Sequence, residues 1–370
     1  MRVALVHDYL SQDGGAERVL QAFHAAWPEA PLYTLFHDRE RANPAFRSWD
    51  VRTSFLQRFP GAVRYYRWFL PLMPTATESY DLAPYDFVLS SSSAFAKGVL
   101  TRPETFHISY CHTPTRYLWT DTHAYVEDLQ LSGPVKALLA PVLSKLRLWD
   151  RLSADRVDAF IANSETVRKR IRKYYGRESV VIHPPVSMKD FSIAPRHENF
   201  FLVGGRLVSY KRFDVVVQAF TKLGMPLVVF GVGPEEARLR RMAGKTVRFV
   251  GRVSDEERAD LYRKCAAFLH PHVEDFGITA IEAMASGRPV IAYGSGGALE
   301  TVVPGETGVF LENQQWEHLA HTVLRFDPSR FSPERIRSHA MRFDAPIFQD
   351  KIRRTVSDLL GRWKESGRKI

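Results

Sequence analysis

Short runs of apolar, β-branched residues recur along the chain and alternate with stretches of helical periodicity. Such runs are typical of strands buried on both faces of a parallel sheet. The pattern predicts strands at residues 3–6, 87–90, 107–110, 159–162, 200–203, 227–230, 247–250, 267–269, 290–292 and 309–311. It predicts helices at residues 16–26, 165–175, 213–222, 234–243, 255–264 and 279–286. Alternating strands and helices indicate an α/β fold with doubly wound parallel sheets.

Two adjacent prolines, Pro184 and Pro185, divide this pattern into two halves. Proline interrupts regular structure, and a chain of 370 residues is longer than one hydrophobic core usually serves. We therefore predict two Rossmann-like domains that face each other across a cleft, at residues 1–185 and 186–346. In such folds ligands bind beside the carboxyl ends of the strands. Residues 347–369 have helical spacing, and we expect this C-terminal helix to pack back on the first domain.

Composition and charge narrow the class of protein without fixing its function. Apolar residues make up 45% of the chain and charged residues 25%, as in folded globular proteins. The net charge of +10 suits nucleic acid, an anionic membrane or a phosphorylated substrate as a partner. The two cysteines, Cys111 and Cys265, predict neither a disulfide framework nor a zinc site. Without a signal-peptide pattern or an apolar run of about 20 residues, we expect a cytoplasmic protein.

A glycine-bearing loop follows the first strand of each half. In the first half, Gly14 and Gly15 precede a predicted helix, whose free amides and positive dipole end suit an anion. In the second half, Gly205 is followed by Arg206 and Lys211. These two cations suit a diphosphate, because arginine can bind it bidentately and lysine as a point charge. The alternatives are an ordinary strand-to-helix turn for the first loop and a solvated basic loop for the second.

Two acidic residues, Glu274 and Glu282, flank a further glycine turn. Gly277, Ile278 and Thr279 lie at the start of the predicted helix and can present backbone amides to an anion. Glu282 lies about one turn further along, where its carboxylate can accept hydrogen bonds from ribose hydroxyls. Glu274 can do the same for the hydroxyls of a transferred sugar. The alternative is a pair of capping or surface glutamates, which are common in the first turn of a helix.

One histidine, His112, follows a strand of the first half. A lone histidine at such a position is more often structural than catalytic, so its residue type alone does not decide its role. The serine-rich stretch 90–93 also follows a strand, where serines often cap a helix. The sequence has no Asp-x-Asp and no cluster of His, Cys and carboxylate residues with ligand spacing. We therefore expect no bound metal.

With these motifs, the chain resembles glycosyltransferase family 4 over nearly its whole length. Glu274 and Glu282 match the family's motif of two glutamates separated by seven residues, and Arg206 and Lys211 match its diphosphate-binding cations. The other positions of the implied donor and catalytic site are Gly14, Gly15, His112, Gly205, Arg252, Val253, Phe276, Gly277, Ile278 and Thr279. The resemblance implies a two-domain GT-B enzyme that uses a nucleotide-diphosphate sugar and retains the anomeric configuration.

Motifs of the first half resemble, more narrowly, the bacterial O-antigen mannosyltransferase group. They lie at residues 7–9, 14–18, 91–93, 96–98 and 110–114. This closer resemblance implies that mannose is transferred from GDP-mannose to a lipid-linked or polysaccharide acceptor in cell-surface glycan synthesis. It also implies a peripheral enzyme on the cytoplasmic face of the inner membrane. The alternative is a family 4 glucosyl- or N-acetylglucosaminyltransferase that uses a UDP-sugar.

The mechanism that the resemblance implies is a same-face substitution that needs no protein nucleophile, cofactor or metal. Arg206, Lys211 and helix amides stabilise the charge that builds on the leaving diphosphate. Glu274 orients the sugar, and His112 hydrogen-bonds the sugar or the reacting region from the opposite domain. The glutamate pair is then different from the acid/base couple of a glycoside hydrolase.

Residues 51–75 combine arginines with aromatic side chains and contain no acidic residue. This composition suits an anionic membrane or single-stranded nucleic acid, unless the aromatic side chains belong to the core. A lipid-linked acceptor favours the membrane. The rivals from other classes are a basic nucleic-acid-binding protein, for which no known motif is present, and a catalytically silent scaffold. The full set of Arg206, Lys211, Glu274 and Glu282 argues against the scaffold, and we expect no nucleic-acid partner.

Overall fold

The computed structural model describes residues 1–122, 126–127 and 133–365, which form two compact units. Unit 1 contains Met1–Pro184 together with the C-terminal segment that begins at Phe348, and unit 2 is Pro185–Ile347. The division falls between the two adjacent prolines. Residues 366–369 of the predicted C-terminal helix lie outside the described residues.

Unit 1 is built on a seven-stranded sheet whose neighbouring strands are all parallel. The strand order is β3-β2-β1-β4-β5-β6-β7, so the chain moves outward from β1 in both directions. The strands are β1 (Val3–His7), β2 (Leu32–Thr34), β3 (Val51–Thr53), β4 (Phe87–Ser92), β5 (Phe106–Cys111), β6 (Ala159–Ala162) and β7 (Ser179–Val181). Sequence pattern predicted the four central strands and missed β2, β3 and β7, which have three residues each.

Helices cover the sheet of unit 1. The described α-helices are Gly15–Ala26, Met73–Glu78, Arg116–Trp119, Gly133–Ser153, Glu165–Tyr175 and, continuing from the end of unit 2, Ala345–Glu365. The helix Glu165–Tyr175 begins and ends where its sequence dictates. The Ser164 hydroxyl accepts a hydrogen bond from the backbone N–H of Val167, and Gly176 adopts the left-handed conformation that ends many helices.

The C-terminal helix buries one stripe of side chains in the core of unit 1. Phe348, Ile352, Val356, Leu359 and Trp363 are all buried, at the spacing of three and four residues that places them on one helix face. The ring of Phe348 stacks on Phe23 of the first helix at 5.7 Å between centroids, and the ring of Trp363 lies 5.2 Å from that of Phe106. Through these contacts the C-terminal helix packs on unit 1, as the sequence predicts.

Unit 2 is built on a six-stranded parallel sheet in the order β10-β9-β8-β11-β12-β13. The strands are β8 (Phe201–Gly204), β9 (Leu227–Phe230), β10 (Val247–Gly251), β11 (Phe268–His270), β12 (Val290–Tyr293) and β13 (Gly308–Leu311). The α-helices are Phe213–Leu223, Glu236–Met242, Asp255–Lys264, Ile278–Ala285, Ala298–Thr301, Trp316–Arg325 and Pro333–Ala340. Two buried clusters of apolar side chains, one on each face of the sheet, hold these layers together.

The fold of both units is therefore the α/β class that the hydrophobic pattern predicts, with two doubly wound parallel sheets. The strand order of each sheet reverses beside its first strand, between β1 and β4 in unit 1 and between β8 and β11 in unit 2. Such reversals leave a crevice at the carboxyl ends of the strands. Among the described residues, no helix combines the length and the apolar character that crossing a bilayer requires.

Candidate functional site

The crevice of unit 2 brings together the loops that follow β8 and β11. Lys211 ends the first of these loops, and Glu274 lies in the second. The Nζ atom of Lys211 is 3.1 Å from Oε1 of Glu274, and both side chains are mostly buried. The same Oε1 accepts a hydrogen bond from Nε2 of His272 at 2.9 Å. The reversal of strand order thus joins a cation and a carboxylate that lie 63 positions apart in the sequence.

Electrostatics keep Glu274 ionised. Burial alone raises the pKa of this carboxyl, but the positive charge of Lys211 and the hydrogen bond from His272 more than reverse that effect. The pKa of Glu274 therefore lies well below its usual range. The site holds a fixed negative charge beside a cation that is already partly neutralised.

A second histidine, His270, lies beside this pair and is fully buried. Its ring centroid is 4.3 Å from that of His272, and neither of its ring nitrogens has a hydrogen-bond partner within the described part of the chain. Burial, and then the neighbouring His272, lower the pKa of His270 well below its ordinary value, so its ring is neutral. Neither histidine was among the site residues predicted from the sequence.

The helix Ile278–Ala285 begins at the same crevice. Gly277 precedes it with φ of 90°, a left-handed conformation that favours glycine, and no side chain of the described residues caps the helix start. Its first amides, including those of Ile278 and Thr279, are therefore not used by a capping side chain. The side chain of Phe276 is buried against Phe343, so this predicted donor-binding position contributes its side chain to the core.

Arg206 is exposed on the loop after β8. Within the described ranges, its guanidinium makes no hydrogen bond or ion pair with the protein, in contrast to Lys211 on the same loop. The preceding Gly205 has φ of 130°, and a Cβ atom there would lie 3.4 Å from Nζ of Lys211. The loop therefore presents one cation that is available to an anion and one that is held by Glu274.

Glu282 lies one turn into the helix and is buried. Its Oε2 is 3.4 Å from Nε of Arg258, and Arg258 also pairs with Asp255. The predicted ribose contact is therefore already beside a cation that the sequence did not reveal. Arg252 is exposed in the loop after β10, and the side chain of Val253 is partly buried against the core.

Two glycines of the loop after β12 support the acidic segment. The N–H of Gly297 donates to the carbonyl of Glu274 at 2.9 Å. A Cβ atom at Gly296 would lie 2.5 Å from that carbonyl oxygen, and one at Gly297 would lie 2.3 Å from Cα of Phe276. Glycine is required at both positions for this close backbone approach.

In unit 1, the predicted glycine loop leads to a chain of buried polar side chains. Gly14 is the N-cap of the helix Gly15–Ala26, and its N–H donates to Oε2 of Glu17 at 2.9 Å. The other carboxylate oxygen of Glu17 is 3.9 Å from Nε2 of His7. The hydroxyl of Ser91 is 3.0 Å from Nδ1 of His7 and 2.8 Å from Nε2 of His112. Burial, and then the neighbouring His7, lower the pKa of His112 to about 3.

A second carboxylate, Asp8, organises the loop after β4. Its two oxygens accept four backbone hydrogen bonds, from the N–H groups of Ser93, Ala94, Phe95 and Ala96, at 2.6 to 3.0 Å. This loop therefore uses its free amides to bind a side chain of the protein itself. Lys97, which follows, is also fully buried, and its Nζ pairs with Asp150 at 2.5 Å.

The predicted site residues thus fall into two groups. Unit 2 holds Gly205, Arg206, Lys211, Arg252, Val253, Glu274, Phe276, Gly277, Ile278, Thr279 and Glu282, and unit 1 holds Gly14, Gly15 and His112. Direct contact joins Lys211 to Glu274. Of the polar residues that were not predicted from the sequence, His7, His270 and His272 lie at or just beyond strand ends, where the position of a polar side chain could have indicated them. Glu17 and Arg258 lie within helices and carry no such signal.

Comparison with protein families covers most of the chain. Residues 13–190 match the family described as Glycosyltransferase Family 4, and residues 186–340 match Glycosyl transferases group 1. The two matches overlap at residues 186–190, directly after the proline pair that separates the units.

Comparison with individual proteins agrees with the family matches. An O-antigen chain mannosyltransferase of Escherichia coli is 30% identical over 149 residues, which are 36% of this chain and 39% of that protein. A GDP-mannose-dependent monoacylated phosphatidylinositol monomannoside mannosyltransferase of Corynebacterium glutamicum is 28% identical over 208 residues, 47% of this chain and 54% of the relative. The chain spans about half the length of the curated relatives that it matches.

Among solved structures, the Anabaena protein HepE in complex with UDP and glucose superposes with a TM-score of 0.72. The match covers 96% of this chain and 99% of that one, at 17% sequence identity. At this level of identity the likeness establishes the fold, which is the two-domain GT-B fold.

Proposed function

Because the chain belongs to glycosyltransferase family 4, we propose that it transfers a sugar from a nucleotide-diphosphate donor, specifically mannose from GDP-mannose, with retention of configuration. The acceptor in this proposal is a lipid-linked saccharide used in cell-surface glycan synthesis. The observation that carries the transfer function is the contact between Lys211 and Glu274 beside the uncapped start of the helix Ile278–Ala285.

The arrangement suits a leaving diphosphate. Arg206 is available on the loop after β8, and the first amides of the helix can donate to phosphate oxygens. Lys211 can exchange Glu274 for the diphosphate, because an ammonium group binds either anion as a point charge. Preorganised positive charge at this position lowers the barrier by stabilising the charge that develops on the leaving group.

The proposed reaction is a substitution on one face of the sugar. The bond between the anomeric carbon and the phosphate oxygen breaks, and the acceptor hydroxyl forms a new bond to that carbon from the same side. The proton of that hydroxyl moves to the departing phosphate oxygen, so no protein nucleophile is required. In this proposal Arg206 and Lys211 supply the positive charge, and no metal or cofactor takes part.

Three other residues complete the proposed site. Glu274, ionised by its surroundings, orients the sugar and balances the positive charge on the anomeric carbon. Glu282 binds the ribose hydroxyls of the nucleotide. His112, directly after β5 in unit 1, hydrogen-bonds the transferred sugar in this proposal.

Support for GDP-mannose comes from the relatives. The E. coli relative is named a mannosyltransferase, and the Corynebacterium relative is named as GDP-mannose-dependent. The structural neighbour holds UDP and glucose, which makes a UDP-sugar the competing donor. Binding measurements with GDP- and UDP-sugars distinguish these two donors.

A donor panel tests the proposal. We expect GDP-mannose to raise the melting temperature, since a ligand at a hundred times its Kd adds about 2.7 kcal/mol of stability. UDP-glucose and UDP-N-acetylglucosamine at the same concentration should leave the melting temperature unchanged. The variant Glu282→Ala should lose the response to GDP-mannose, whereas Glu306→Ala, an exposed glutamate of the same unit, should keep it. Stabilisation by a UDP-sugar without any by GDP-mannose would contradict the assignment of the donor.

A surface of unit 1 suits a lipid-linked acceptor. Residues 51–75 begin with the edge strand β3 and continue through two short 3₁₀ helices, Phe55–Arg58 and Tyr66–Leu72. The side chain of Trp68 is 72% exposed, and Phe59 and Tyr65 are about half exposed. Other apolar side chains of the segment, including Leu56 and Met73, are buried in the core. The segment therefore combines core and surface roles.

Basic side chains accompany these exposed rings. Arg64 lies over the ring of Tyr65 at 5.4 Å, and Arg58 follows Phe55 in the first 3₁₀ helix. Arg52 differs, because it is bound to Asp50 and to the hydroxyls of Tyr33 and Tyr85. Exposed aromatic rings beside arginines match the interface of an anionic bilayer, and we propose that this surface docks there.

Vesicle flotation tests the membrane surface. The triple variant Arg58→Glu, Arg64→Glu and Arg67→Glu should abolish binding to anionic vesicles, because each basic residue near such a surface contributes about 1 kcal/mol. The control reverses three exposed charges of unit 2 instead, at the positions Arg241, Lys245 and Arg248. Both variants change the net charge equally. Equal loss of flotation in both would show attraction by net charge and remove the specific role of residues 51–75.

A further inference from the structure

Four buried side chains of unit 1 form a continuous polar chain that ends at His112. They are Glu17, His7, Ser91 and His112, and each is at most 8% exposed. The distances along the chain are 3.9 Å from Glu17 to His7, 3.0 Å from His7 to Ser91 and 2.8 Å from Ser91 to His112. Four different segments supply these residues: β1 supplies His7, the first helix supplies Glu17, β4 supplies Ser91, and His112 directly follows β5.

The hydroxyl of Ser91 couples the two imidazole rings. A hydroxyl has one proton, so it can donate to one ring nitrogen and must accept from the other. At a pH at which both imidazole rings are neutral, the chain of hydrogen bonds therefore has two polarities. In one, Ser91 donates to Nδ1 of His7 and accepts from Nε2–H of His112. In the other, both hydrogen bonds run in the opposite direction.

Glu17 selects between these polarities. Its carboxylate is fixed by the N–H of Gly14, and its second oxygen is 3.9 Å from Nε2 of His7. A negative charge at this distance in a buried setting favours the tautomer of His7 that carries its proton on the near nitrogen, Nε2. Nδ1 of His7 is then an acceptor, Ser91 donates to it, and the Ser91 oxygen accepts from Nε2–H of His112.

We propose that Glu17, His7 and Ser91 are positioning residues that fix the Nε2–H tautomer of His112 and leave its Nδ1 as a hydrogen-bond acceptor for a sugar hydroxyl. The sugar contact rests on the proposed function, whereas the tautomer is a property of the protein alone. Nδ1 of His112 makes no hydrogen bond to the residues that the structure describes. Burial keeps this ring neutral at ordinary pH, since the pKa of His112 is lowered to about 3.

The same two strands supply a matched control. Ser90 precedes Ser91 on β4, and its hydroxyl is 2.9 Å from Nε2 of His107 on β5. Both serines are fully buried. Because successive strand residues point to opposite faces, the Ser90–His107 pair lies on the other side of the sheet. Ser90→Ala thus removes a serine–imidazole hydrogen bond of the same kind without touching the chain to His112.

The tautomer is measured directly in the full-length protein. Two-bond ¹H–¹⁵N correlation spectra of histidine-labelled protein at pH 8 distinguish protonated from unprotonated ring nitrogens, and the spectrum of His112→Gln assigns the signals of His112. We expect a protonated Nε2 and an unprotonated Nδ1 for His112 in the wild type and in Ser90→Ala. In Ser91→Ala the two tautomers of His112 should interconvert and give averaged signals.

Transfer kinetics provide the second reading. Ser91→Ala should lower kcat about tenfold, the size of one hydrogen bond to the reacting sugar, with little change in KM. Ser90→Ala should leave both constants unchanged. A wild-type His112 protonated on Nδ1, or a tautomer unaffected by Ser91→Ala, would overturn the proposal. If the tautomer shifts as expected and kcat does not change, the positioning chain stands and the proposed sugar contact of His112 is wrong.

Discussion

Replacing Lys211 with methionine should lower kcat/KM for sugar transfer by at least about a hundredfold, the effect of removing one preorganised group that stabilises developing negative charge. The expected size follows from the position of Lys211. Its ammonium group is mostly buried at the crevice of unit 2, beside a helix start that no side chain caps. Charge interactions are stronger in such a setting than in water, and Arg206 alone cannot replace the second cation.

The matched control is Lys222→Met, which removes an exposed lysine from the end of the helix Phe213–Leu223. It should leave kcat/KM and the melting temperature close to the wild-type values. Initial rates with GDP-mannose, measured after circular dichroism has shown that both variants are folded, give the comparison. A loss of less than fivefold in Lys211→Met would mean that this lysine does not act on the leaving group.

A variant of Glu274, the partner of Lys211, distinguishes an effect on donor binding from an effect on turnover. In the free protein the ammonium group is held by Glu274, so a diphosphate has to displace this carboxylate. Glu274→Gln should therefore bind GDP more tightly than the wild type, because it removes a competing negative charge, while its kcat falls. Weaker binding of GDP in Glu274→Gln would contradict the exchange of partners at Lys211.

Whether a strand could be predicted from the sequence depended on its length and on its burial. The central strands were predictable because burial on both faces leaves a continuous apolar run, as in β9, Leu227–Phe230. The outer strands β2, β3 and β7 were not, because three residues such as Val51–Thr53 carry no period of their own. They form because a neighbouring strand offers hydrogen bonds, which is a tertiary effect.

In the site, too, some features could be predicted from the sequence and others depend on tertiary structure. The sequence placed Lys211 and Glu274 after strands, and the observed strand order brings these two loops together. It could not pair Lys97 with Asp150, which lies 53 positions further along the chain, in the helix Gly133–Ser153. Nor could it connect His7 with Ser91, since that contact depends on the register by which β1 pairs with β4. Residue type and spacing predict candidates, and the long-range register decides which candidates face each other.

Lys97 is an example of a residue whose role depends on a long-range contact. It lies shortly after β4, whose last three residues are serines. In the structure it is 1% exposed, and its Nζ donates to Asp150 and to the carbonyl of Ala94. Asp150 in turn accepts hydrogen bonds from other donors: the hydroxyl of Thr115 at 2.8 Å, the indole of Trp119 at 2.7 Å and the hydroxyl of Tyr175 at 3.0 Å. The pair is a structural junction in the core of unit 1.

Asp150→Ala should consequently destabilise unit 1 by about 4 kcal/mol, the cost of leaving a buried charge without its partner. The variant leaves the buried ammonium group of Lys97 without its carboxylate partner. It also removes the hydrogen-bond acceptor of Thr115, Trp119 and Tyr175. Urea denaturation followed by tryptophan fluorescence measures the loss, since Trp119 contacts the mutated carboxylate directly. The double variant Lys97→Met with Asp150→Ala should recover part of it, because it no longer contains an unpaired buried charge.

The control lies one residue further along the same helix. Arg151 pairs with Asp155 at 2.8 Å, but both side chains are well exposed, at 39% and 49%. Arg151→Met should cost no more than about 0.5 kcal/mol, because solvent screens exposed pairs of this kind. The comparison sets a buried ion pair against an exposed one on the same helix, and the double variant separates the unpaired charge of Lys97 from the loss of the other hydrogen bonds of Asp150. If Asp150→Ala were as mild as Arg151→Met, or if the double variant were less stable than Asp150→Ala alone, the charge of Lys97 would not be what makes the loss of Asp150 costly.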